Sequence, residues 1–224
     1  LVVKSLEGYP HYHSPAGFMD RIERFAAELA LWGSKFNLTA TPDDPAELAF
    51  HILDSLAPIL IGSREPASRL AAAFTTRRRV LDLGSGAGFP GIVLASATDA
   101  QFVLAESRRK RASFLQAAVT ALGLSNARIN HRHRRSFEPE FDIVTARAFA
   151  QPEVFYATAG TALRPGGIAI LFASASQQEE ITRILHRRGE VFTAYAFDPP
   201  RQPSAGEPDT KAVSHLIMVS SISD

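Results

Sequence analysis

The sequence predicts an α/β fold, a doubly wound and mostly parallel seven-stranded sheet with a small helical region at its N-terminal side. From about residue 79 onward, short β-rich runs alternate with helical segments, which is the pattern of parallel strands joined by crossover helices. The run LDLGSGAGFPG at 81–91 places an apolar strand directly before a glycine-rich turn. Such a turn is typical of the ligand-binding edge of doubly wound sheets.

Two helices are predicted before the sheet begins. An apolar stripe at three- and four-residue spacing indicates an amphipathic helix over 17–36, formed by Phe18, Ile22, Phe25, Leu29 and Trp32. A similar repeat after the turn-forming TPDDP indicates a second helix over about 45–60, with Leu48, Ile52, Leu56 and Ile59. We expect these helices to form an N-terminal cap at 1–62, followed by a cofactor-binding domain at 63–224.

The remaining elements follow in alternation. VLDL precedes a helix from about residue 91, QFVLAE precedes a helix over 109–122, and ARINH supplies a third strand. FDIVTA precedes a helix near 152–163, and GIAILF precedes a helix around 177–188. VFTAYAF and HLIMVS complete the sheet, and we expect them to pair as a hairpin across a proline-rich connection.

Composition narrows the function classes. The chain has 224 residues, 46% of them hydrophobic, and no cysteine, which excludes disulfides, thiolate catalysis and cysteine-bound metals; we predict no metal site. No apolar run approaches the roughly 20 residues that a membrane helix needs, so we expect a cytoplasmic protein without a membrane partner. We also expect a monomer. The net charge is +1, yet 107–137 holds eight Arg or Lys and no Asp or Glu. Such clusters bind phosphates, and a solvated basic face is the plain alternative.

The glycine turn and an acidic residue predict a ribose-bearing cofactor. Gly84, Gly86 and Gly88 alternate after the first strand around Ser85, and we expect all four residues to bind the cofactor. Glu106 ends the second strand, 22 residues after Gly84, where a carboxylate accepts hydrogen bonds from both ribose hydroxyls.

Two cofactors compete for this turn. The glycines at 86, 88 and 91 match the GxGxxG pattern of nicotinamide dinucleotide sites. Counted from Gly84, which directly follows the strand, the third glycine is replaced by Phe89. The alternating glycines suit the methionine end of S-adenosylmethionine, which has no pyrophosphate, and Phe89 is expected to lie against it. A small-molecule methyltransferase or a nicotinamide enzyme stays open as an alternative.

Six motifs extend this interpretation. The chain resembles the bacterial 16S ribosomal RNA guanine-N7 methyltransferases called RsmG or GidB through NLTA (37–40), HILDS (51–55), VLDLGSGAGFPG (80–91), LAESRRKRASFL (104–115), FDIVTARAFA (141–150) and LRPGG (163–167). HILDS and TARAFA are the most specific of these motifs. The resemblance implies a class I methyltransferase fold and S-adenosylmethionine as cofactor. It also implies methyl transfer to N7 of a guanosine in small-subunit ribosomal RNA, as naked RNA or as a ribosomal particle.

The resemblance also assigns residues. Gly84 and Phe89 would contact the cofactor, Glu106 would hold its ribose, and Arg134 and Arg135 would flank its adenine. Arg147 would lie at the mouth shared by cofactor and substrate, and the site would be bordered by His51 and Asp54. A basic RNA-binding patch is predicted at Arg108, Arg109, Lys110, Arg111 and Arg132, with an RNA affinity that falls steeply as salt is added.

The chemistry of the reaction limits what the residues must do. Guanine N7 carries a lone pair and no proton, so the sequence assigns no catalytic base, and Arg147 is the candidate clamp for a phosphate or for guanine O6. Two departures from the family pattern favour a second hypothesis, an RNA-binding relative without catalysis. His133, Arg134 and Arg135 stand where the family usually has Arg, a small residue and Glu, and Ala173 and Ser174 stand where it commonly has Lys and Gly.

Overall fold

Three helices precede the sheet. The computed structural model describes residues 1–36, 38, 44–64, 70, 73–75, 77–131, 137–198 and 215–221. Its first helices are α1 (Val2–Leu6), α2 (Phe18–Gly33) and α3 (Pro45–Arg64). The predicted pair, α2 and α3, is confirmed. The five residues of α1 are too few to show an apolar period, so the sequence did not indicate this helix.

The helices α2 and α3 differ in how much of their surface they bury. The predicted stripe of α2 is buried at Phe18, Ile22, Phe25 and Leu29. Asp44 Oδ1 caps the start of α3 by accepting the backbone N–H of Ala46 at 2.8 Å. Contrary to the expectation from the sequence, α3 is long and apolar enough to cross a membrane by length and composition, but 67% of its apolar window is buried inside the fold, as in a core helix.

Seven strands form one sheet: β1 (Arg79–Leu83), β2 (Gln101–Ala105), β3 (Ala127–Asn130), β4 (Phe141–Arg147), β5 (Leu163–Ser174), β6 (Val191–Phe197) and β7 (His215–Ser221). The strand order is β3-β2-β1-β4-β5-β7-β6. The first five strands pair in parallel, and β7 is antiparallel to both β5 and β6. The predicted doubly wound, mostly parallel α/β class is confirmed.

The crossover helices cover both faces of this sheet. They are α4 (Gly91–Ala97), α5 (Arg109–Ala121), α6 (Pro152–Ala162) and α7 (Gln178–Arg188), with a short 3₁₀ helix at Ala175–Gln177. Alternate strand residues enter different cores, as the period of two in a strand requires. Phe102 and Leu104 pack into the core that contains residues of α2 to α5. Val103 and Ala105 pack into the core that contains residues of α6 and α7.

One strand differs from its prediction. β5 begins at Leu163, whereas LRPGG suggested a turn and the predicted strand began only with GIAILF. Phe141 pairs with Leu163 and Ile143 pairs with Ile168, so β5 carries extra residues between the two pairs. The tertiary pairing with β4 extends the strand through residues whose local preference is for a turn.

The order of the strands places the ligand-binding edge. At the carboxyl end of β1, Leu83 is flanked by Ala105 of β2 and Ala146 of β4. The chain moves outward from β1 in opposite directions, first to β2 and β3 and later to β4 and β5. Ligands of doubly wound sheets bind at such a switch point, outside the carboxyl ends of the strands.

Candidate active site

The glycine turn is hydrogen-bonded to the end of the neighbouring strand, β2. The backbone N–H groups of Gly84 and Ser85 donate to the carbonyl of Ala105 at 2.8 and 3.1 Å. Gly84 has φ +67, and positive φ also occurs at Gly86 and Gly88. Side chains disfavour this conformation, so the turn needs glycine at these positions before any ligand is considered.

Packing within the protein also requires glycine: a Cβ added at Gly84 would lie 2.7 Å from Phe149 Cδ2, and two further glycines admit other elements. A Cβ added at Gly88 would lie 2.9 Å from Phe25 Cζ, and one at Gly91 would lie 2.5 Å from Asp82 Oδ2. These two glycines therefore allow α2 and β1 to approach the turn. The spacing of the glycines predicted room for a ligand, but spacing could not show that part of that room is filled by the core.

A cavity of about 820 Å³ opens beside the turn, which we name the Glu106 cavity. Its polar lining includes Glu106, Arg108 and Arg111, and its apolar lining includes Phe137 and Phe149. Gly84 also lines it. The volume lies within the range of about 300–1,000 Å³ that small-molecule and cofactor sites occupy.

Glu106 is the buried acid of this cavity. Its Oε2 accepts the backbone N–H of Gly86 at 3.1 Å, and its Oε1 accepts the backbone N–H of Arg108 at 2.7 Å. Each carboxylate oxygen can accept a second hydrogen bond, so both oxygens retain capacity toward the cavity. Two backbone donors thus hold the carboxylate rigidly at the cavity wall, next to Gly84.

Other predicted cofactor residues lie behind this wall. Ser85, Gly86, Gly88 and Phe89 are not among the residues that line the Glu106 cavity. The Ser85 hydroxyl donates to the Asp82 carbonyl at 3.0 Å. Phe89 is buried and its ring centroid lies 5.3 Å from those of Phe25 and His51. Their assignment as direct cofactor contacts stays a prediction, and their observed contacts shape the turn.

The structure brings the predicted border residues His51 and Asp54 together with Arg147, which was predicted at the mouth of the site. Arg147, at the end of β4, donates from Nη1 to Asp54 Oδ2 of α3 at 3.0 Å. Its guanidinium carbon lies 5.1 Å from the centroid of the Phe89 ring. The ring of His51 lies 5.6 Å from that of its neighbour Phe50. Asp54 is fully buried and the Arg147 side chain is 20% exposed, so the ion pair lies at the boundary between core and solvent.

A second cavity of about 380 Å³ adjoins this ion pair, which we name the Arg147 cavity. It is lined by Phe50, His51, Asp54, Arg147, Phe172 and Gln177 among others. Ala148 and Ala150 line both this cavity and the Glu106 cavity. Ala148 has φ +51, the only positive φ of a non-glycine residue in the described part of the chain. The roles of Ala148, Phe149, Phe172 and Gln177 were missed, although Ala148 and Phe149 fall within TARAFA, the motif that signalled this segment.

A buried aspartate lies beneath the turn. Asp82, on β1, accepts the Thr145 hydroxyl at 2.7 Å through Oδ1. Burial raises the pKa of Asp82 to about 6, and hydrogen bonds to its carboxylate limit the rise. The hydrogen bond from Thr145 joins β4 to β1 through Asp82. Asp82 lines neither cavity, so it does not face a ligand there.

The predicted basic patch lies at the start of α5. Arg108, Arg109, Lys110 and Arg111 line a groove of about 490 Å³ with Lys35, Phe36 and Leu38, which we name the basic groove. None of these four cations forms an ion pair with a described residue. Lys110 Nζ lies 4.9 Å from the centroid of the Phe36 ring. The remaining predicted basic residues fall outside the described residues: Arg132, Arg134 and Arg135.

The comparisons with known proteins agree with this architecture. Two solved structures share the fold at low sequence identity. A SAM-dependent methyltransferase from Aquifex aeolicus has a TM-score of 0.58 at 13% identity, covering 88% of this chain and 98% of that one. A SAM-dependent O-methyltransferase from Thermotoga maritima has a TM-score of 0.56 at 19% identity, covering 75% and 65%. The fold is therefore that of class I methyltransferases.

Sequence relatives are more specific. Ribosomal RNA small subunit methyltransferase G of Acidovorax ebreus (strain TPSY) is 35% identical over 162 residues, 71% of this chain and 72% of the relative. The protein of the same name from Cupriavidus pinatubonensis is 33% identical over 208 residues, 90% and 86% of the two chains. The sequence profile of the GidB family, rRNA small subunit methyltransferase G, matches residues 19–188. The chain belongs to this family of small-subunit ribosomal RNA methyltransferases.

Proposed function

We propose that this methyltransferase transfers the methyl group of S-adenosylmethionine to N7 of a guanosine in 16S ribosomal RNA. The observation that carries the cofactor assignment is the rigidly held Glu106 carboxylate at the wall of the Glu106 cavity, at the switch point of a class I sheet. Membership in the family supports the choice of RNA as substrate. The relatives' names specify the small-subunit RNA, and the guanosine N7 follows from the resemblance of the motifs.

The residues of the Glu106 cavity fit this cofactor. Glu106 would accept hydrogen bonds from the two ribose hydroxyls, and Gly84, which lines the cavity, would place its backbone beside the ligand. Phe137 and Phe149 supply apolar surface for an adenine ring. We keep Arg134 and Arg135 as proposed neighbours of the adenine. When bound, S-adenosylmethionine supplies a methyl group activated by its positive sulfur.

The protein's own contribution would be position and exclusion of water. The guanine N7 lone pair is the nucleophile, so no side chain has to remove a proton. Holding the base in line at near-attack distance can supply about 7–11 kcal/mol of the barrier reduction. Arg147, fixed by Asp54 and packed on Phe89, is placed to hold the substrate side of the site.

The basic groove is the proposed path of the RNA backbone. Three cations, Arg109, Lys110 and Arg111, occupy the first turn of α5, where the helix dipole disfavours positive charge. A phosphate bound there would relieve this repulsion and would be held by charge-assisted hydrogen bonds. Arg108 and Arg111 line both the groove and the Glu106 cavity, so the two sites adjoin.

The N-terminal helices are proposed to act as a cap on the sheet domain. Phe25 of α2 packs against Phe89 of the turn and against Phe114 of α5. Asp54 of α3 pairs with Arg147 of β4. We therefore propose that 1–62 completes the site built by 63–224. An enzyme acting on ribosomal RNA would work in the bacterial cytoplasm.

The direct test is methyl transfer to defined RNA. The protein is incubated with methyl-labelled S-adenosylmethionine and with unmodified 16S RNA, either naked or reconstituted into small subunits. We expect label in N7-methylguanosine at one nucleotide, mapped by aniline cleavage after borohydride reduction. Protein that binds the cofactor and the RNA but transfers no label would support the non-catalytic relative instead. Label on a small molecule and none on RNA would refute the RNA substrate.

A further inference from the structure

We propose that the Arg147 cavity is the guanine-binding site and that the Arg147–Asp54 pair selects guanine over adenine. This inference rests on the proposed function and adds the location and the chemistry of base recognition. It begins from the contact between the two cavities, since Ala148 and Ala150 line both. Both residues carry only a methyl side chain, so a base in the Arg147 cavity would lie close to a cofactor in the Glu106 cavity.

The backbone at this boundary is arranged to serve both cavities. Ala148 adopts φ +51, a conformation that costs a non-glycine residue about 1 kcal/mol or more. On one side of it, Arg147 reaches Asp54. On the other side, the Phe149 ring packs over Gly84, where an added Cβ would lie 2.7 Å from Phe149 Cδ2. The strained turn thus directs one side chain to each cavity.

The order of donor and acceptor in the ion pair matches guanine. Arginine usually binds guanine through O6 and N7 together. An N7 that is to be methylated must keep its lone pair available, which leaves only O6 for Arg147. On the guanine edge, O6 is followed by the N1–H and N2 amino donors, and these would meet the acceptor Asp54, whose Oδ2 lies 3.0 Å from Arg147 Nη1. N7 then lies on the opposite side of O6 from Asp54.

Adenine presents the reverse order. Its N6 amino donor would face the guanidinium of Arg147, and its N1 acceptor would face the carboxylate of Asp54. Both contacts are repulsive, and a pair of this kind rejects the wrong base as well as binding the right one. Asp54 lines the Arg147 cavity although its side chain has no exposed surface, so water would screen these interactions weakly.

The remaining lining suits a base that has left its stack. Phe50, His51 and Phe172 supply ring surfaces, and unstacked RNA bases bind to such rings. Enzymes that modify a base extrude it into a pocket of this type. Ser174 and Gln177 add polar groups to the lining, at the carboxyl end of β5 and in the 3₁₀ helix that follows it.

The test measures base preference without any methyl transfer. The protein is first saturated with S-adenosylhomocysteine, so that added nucleotides cannot occupy the Glu106 cavity. Guanosine, inosine and adenosine monophosphates are then titrated, and binding is followed by saturation-transfer NMR. We expect guanosine monophosphate to bind about tenfold or more tightly than adenosine monophosphate. Inosine monophosphate should lie between them, because it lacks the N2 amino group.

A variant of Asp54 distinguishes the specific role of this carboxylate from a general loss of nucleotide binding. Asp54→Asn should lower the affinity for guanosine monophosphate by about tenfold and remove the preference over inosine monophosphate. Asp20→Asn, on the exposed face of α2, is the matched control and should change neither. Unaltered binding of S-adenosylhomocysteine would show that Asp54→Asn is folded.

The outcomes distinguish this inference from the proposed function. Equal binding of the guanosine and adenosine nucleotides by wild-type protein, or no binding of either, would overturn the inference. An unchanged preference in folded Asp54→Asn would overturn the role of Asp54. Failure of the wild-type protein to bind S-adenosylhomocysteine would refute the proposed cofactor instead.

Discussion

An aspartate is buried against arginine at the edge of the sheet where the parallel strands end, the carboxyl edge, and another at the edge where they begin, the amino edge. The surroundings of the two aspartates differ. At the carboxyl edge, Asp54 pairs with Arg147 and both line the Arg147 cavity. At the amino edge, Asp142 Oδ1 accepts from Arg78 Nη1 at 2.7 Å and from Arg164 Nη2. Its Oδ2 accepts the backbone N–H of Arg79 at 2.7 Å. Neither Asp142 nor its partners line either of the two cavities.

This difference indicates that one aspartate only joins structural elements, whereas the other also borders a possible binding site. The donors around Asp142 come from three places in the chain, just before β1, at the start of β1 and in β5, so the carboxylate joins neighbouring strands. The Asp54 pair joins α3 to β4 and also borders open volume that a substrate can enter. A buried ion pair is weak evidence of function by itself. The adjoining cavity is the feature that distinguishes the two edges.

The largest expected effect is at the carboxyl edge. Glu106→Gln keeps the side-chain volume but removes the charge that would accept the ribose hydroxyls. Hydrogen bonds to a charged group contribute about 1.5–3 kcal/mol each, so two of them predict a loss of cofactor affinity of about 100-fold or more. Isothermal calorimetry with S-adenosylmethionine measures it. Glu179→Gln, whose carboxylate is 91% exposed on α7, is the control, and an unchanged affinity in folded Glu106→Gln would contradict the assignment.

Another buried carboxylate, that of Asp82, gives the next largest effect, on the pH dependence of stability. Its pKa is about 6 in the folded protein, whereas the ordinary pKa of an aspartate in an unfolded chain is 3.8. The folded state therefore binds the proton more tightly, so ionisation destabilises it. Stability should fall as pH rises from about 4 to 6, by at most about 3 kcal/mol from this group.

Urea unfolding across this pH range tests the sign. The difference in unfolding free energy between wild type and Asp82→Asn should change in favour of Asp82→Asn as pH rises, because the amide does not ionise. A difference that stays constant from about pH 4 to 7 would show that burial does not disfavour the charge of Asp82. Cofactor affinity should change little, since Asp82 lines neither cavity.

The smallest expected effect is at the amino edge. Asp142→Ala leaves the Arg79 N–H without its acceptor, while Arg78 and Arg164, 44% and 45% exposed, can be rehydrated. We expect the free energy of unfolding to fall by about 2 kcal/mol with unchanged cofactor affinity. Glu140→Ala, which removes a partly exposed ion pair with Arg79, is the control and should cost less than about 1 kcal/mol. A loss of cofactor affinity in Asp142→Ala would contradict the conclusion that the amino edge serves only stability.

Local pattern predicted most of the fold. The stripe of α2, the alternation of strands and helices, and the position of Glu106 after β2 are short-range features, and all are found in the structure. The start of β5 was wrong because pairing with β4 overrides the turn preference of LRPGG. The five-residue α1 carries too little periodicity to be predicted.

The site was predicted in part. The motifs assigned His51 and Asp54 to the border of the site and Arg147 to its mouth, and the structure places the three around one cavity, while their roles stay predictions. The direct pairing of Asp54 with Arg147 joins residues 93 positions apart, a distance in sequence at which no periodicity acts. The packing of Phe149 over Gly84 and the shared boundary at Ala148 and Ala150 were not predicted for the same reason.

The sequence by itself therefore determined the α/β class, the glycine turn, the acidic residue that follows β2 and the family. These depend on local backbone preferences and on spacing along one segment. Only the tertiary structure decided which glycines serve packing, which carboxylate borders open volume and how the two cavities meet. Those properties depend on the volume left between side chains from α2, α3, β4 and β5, and that volume exists only once the separate segments have packed.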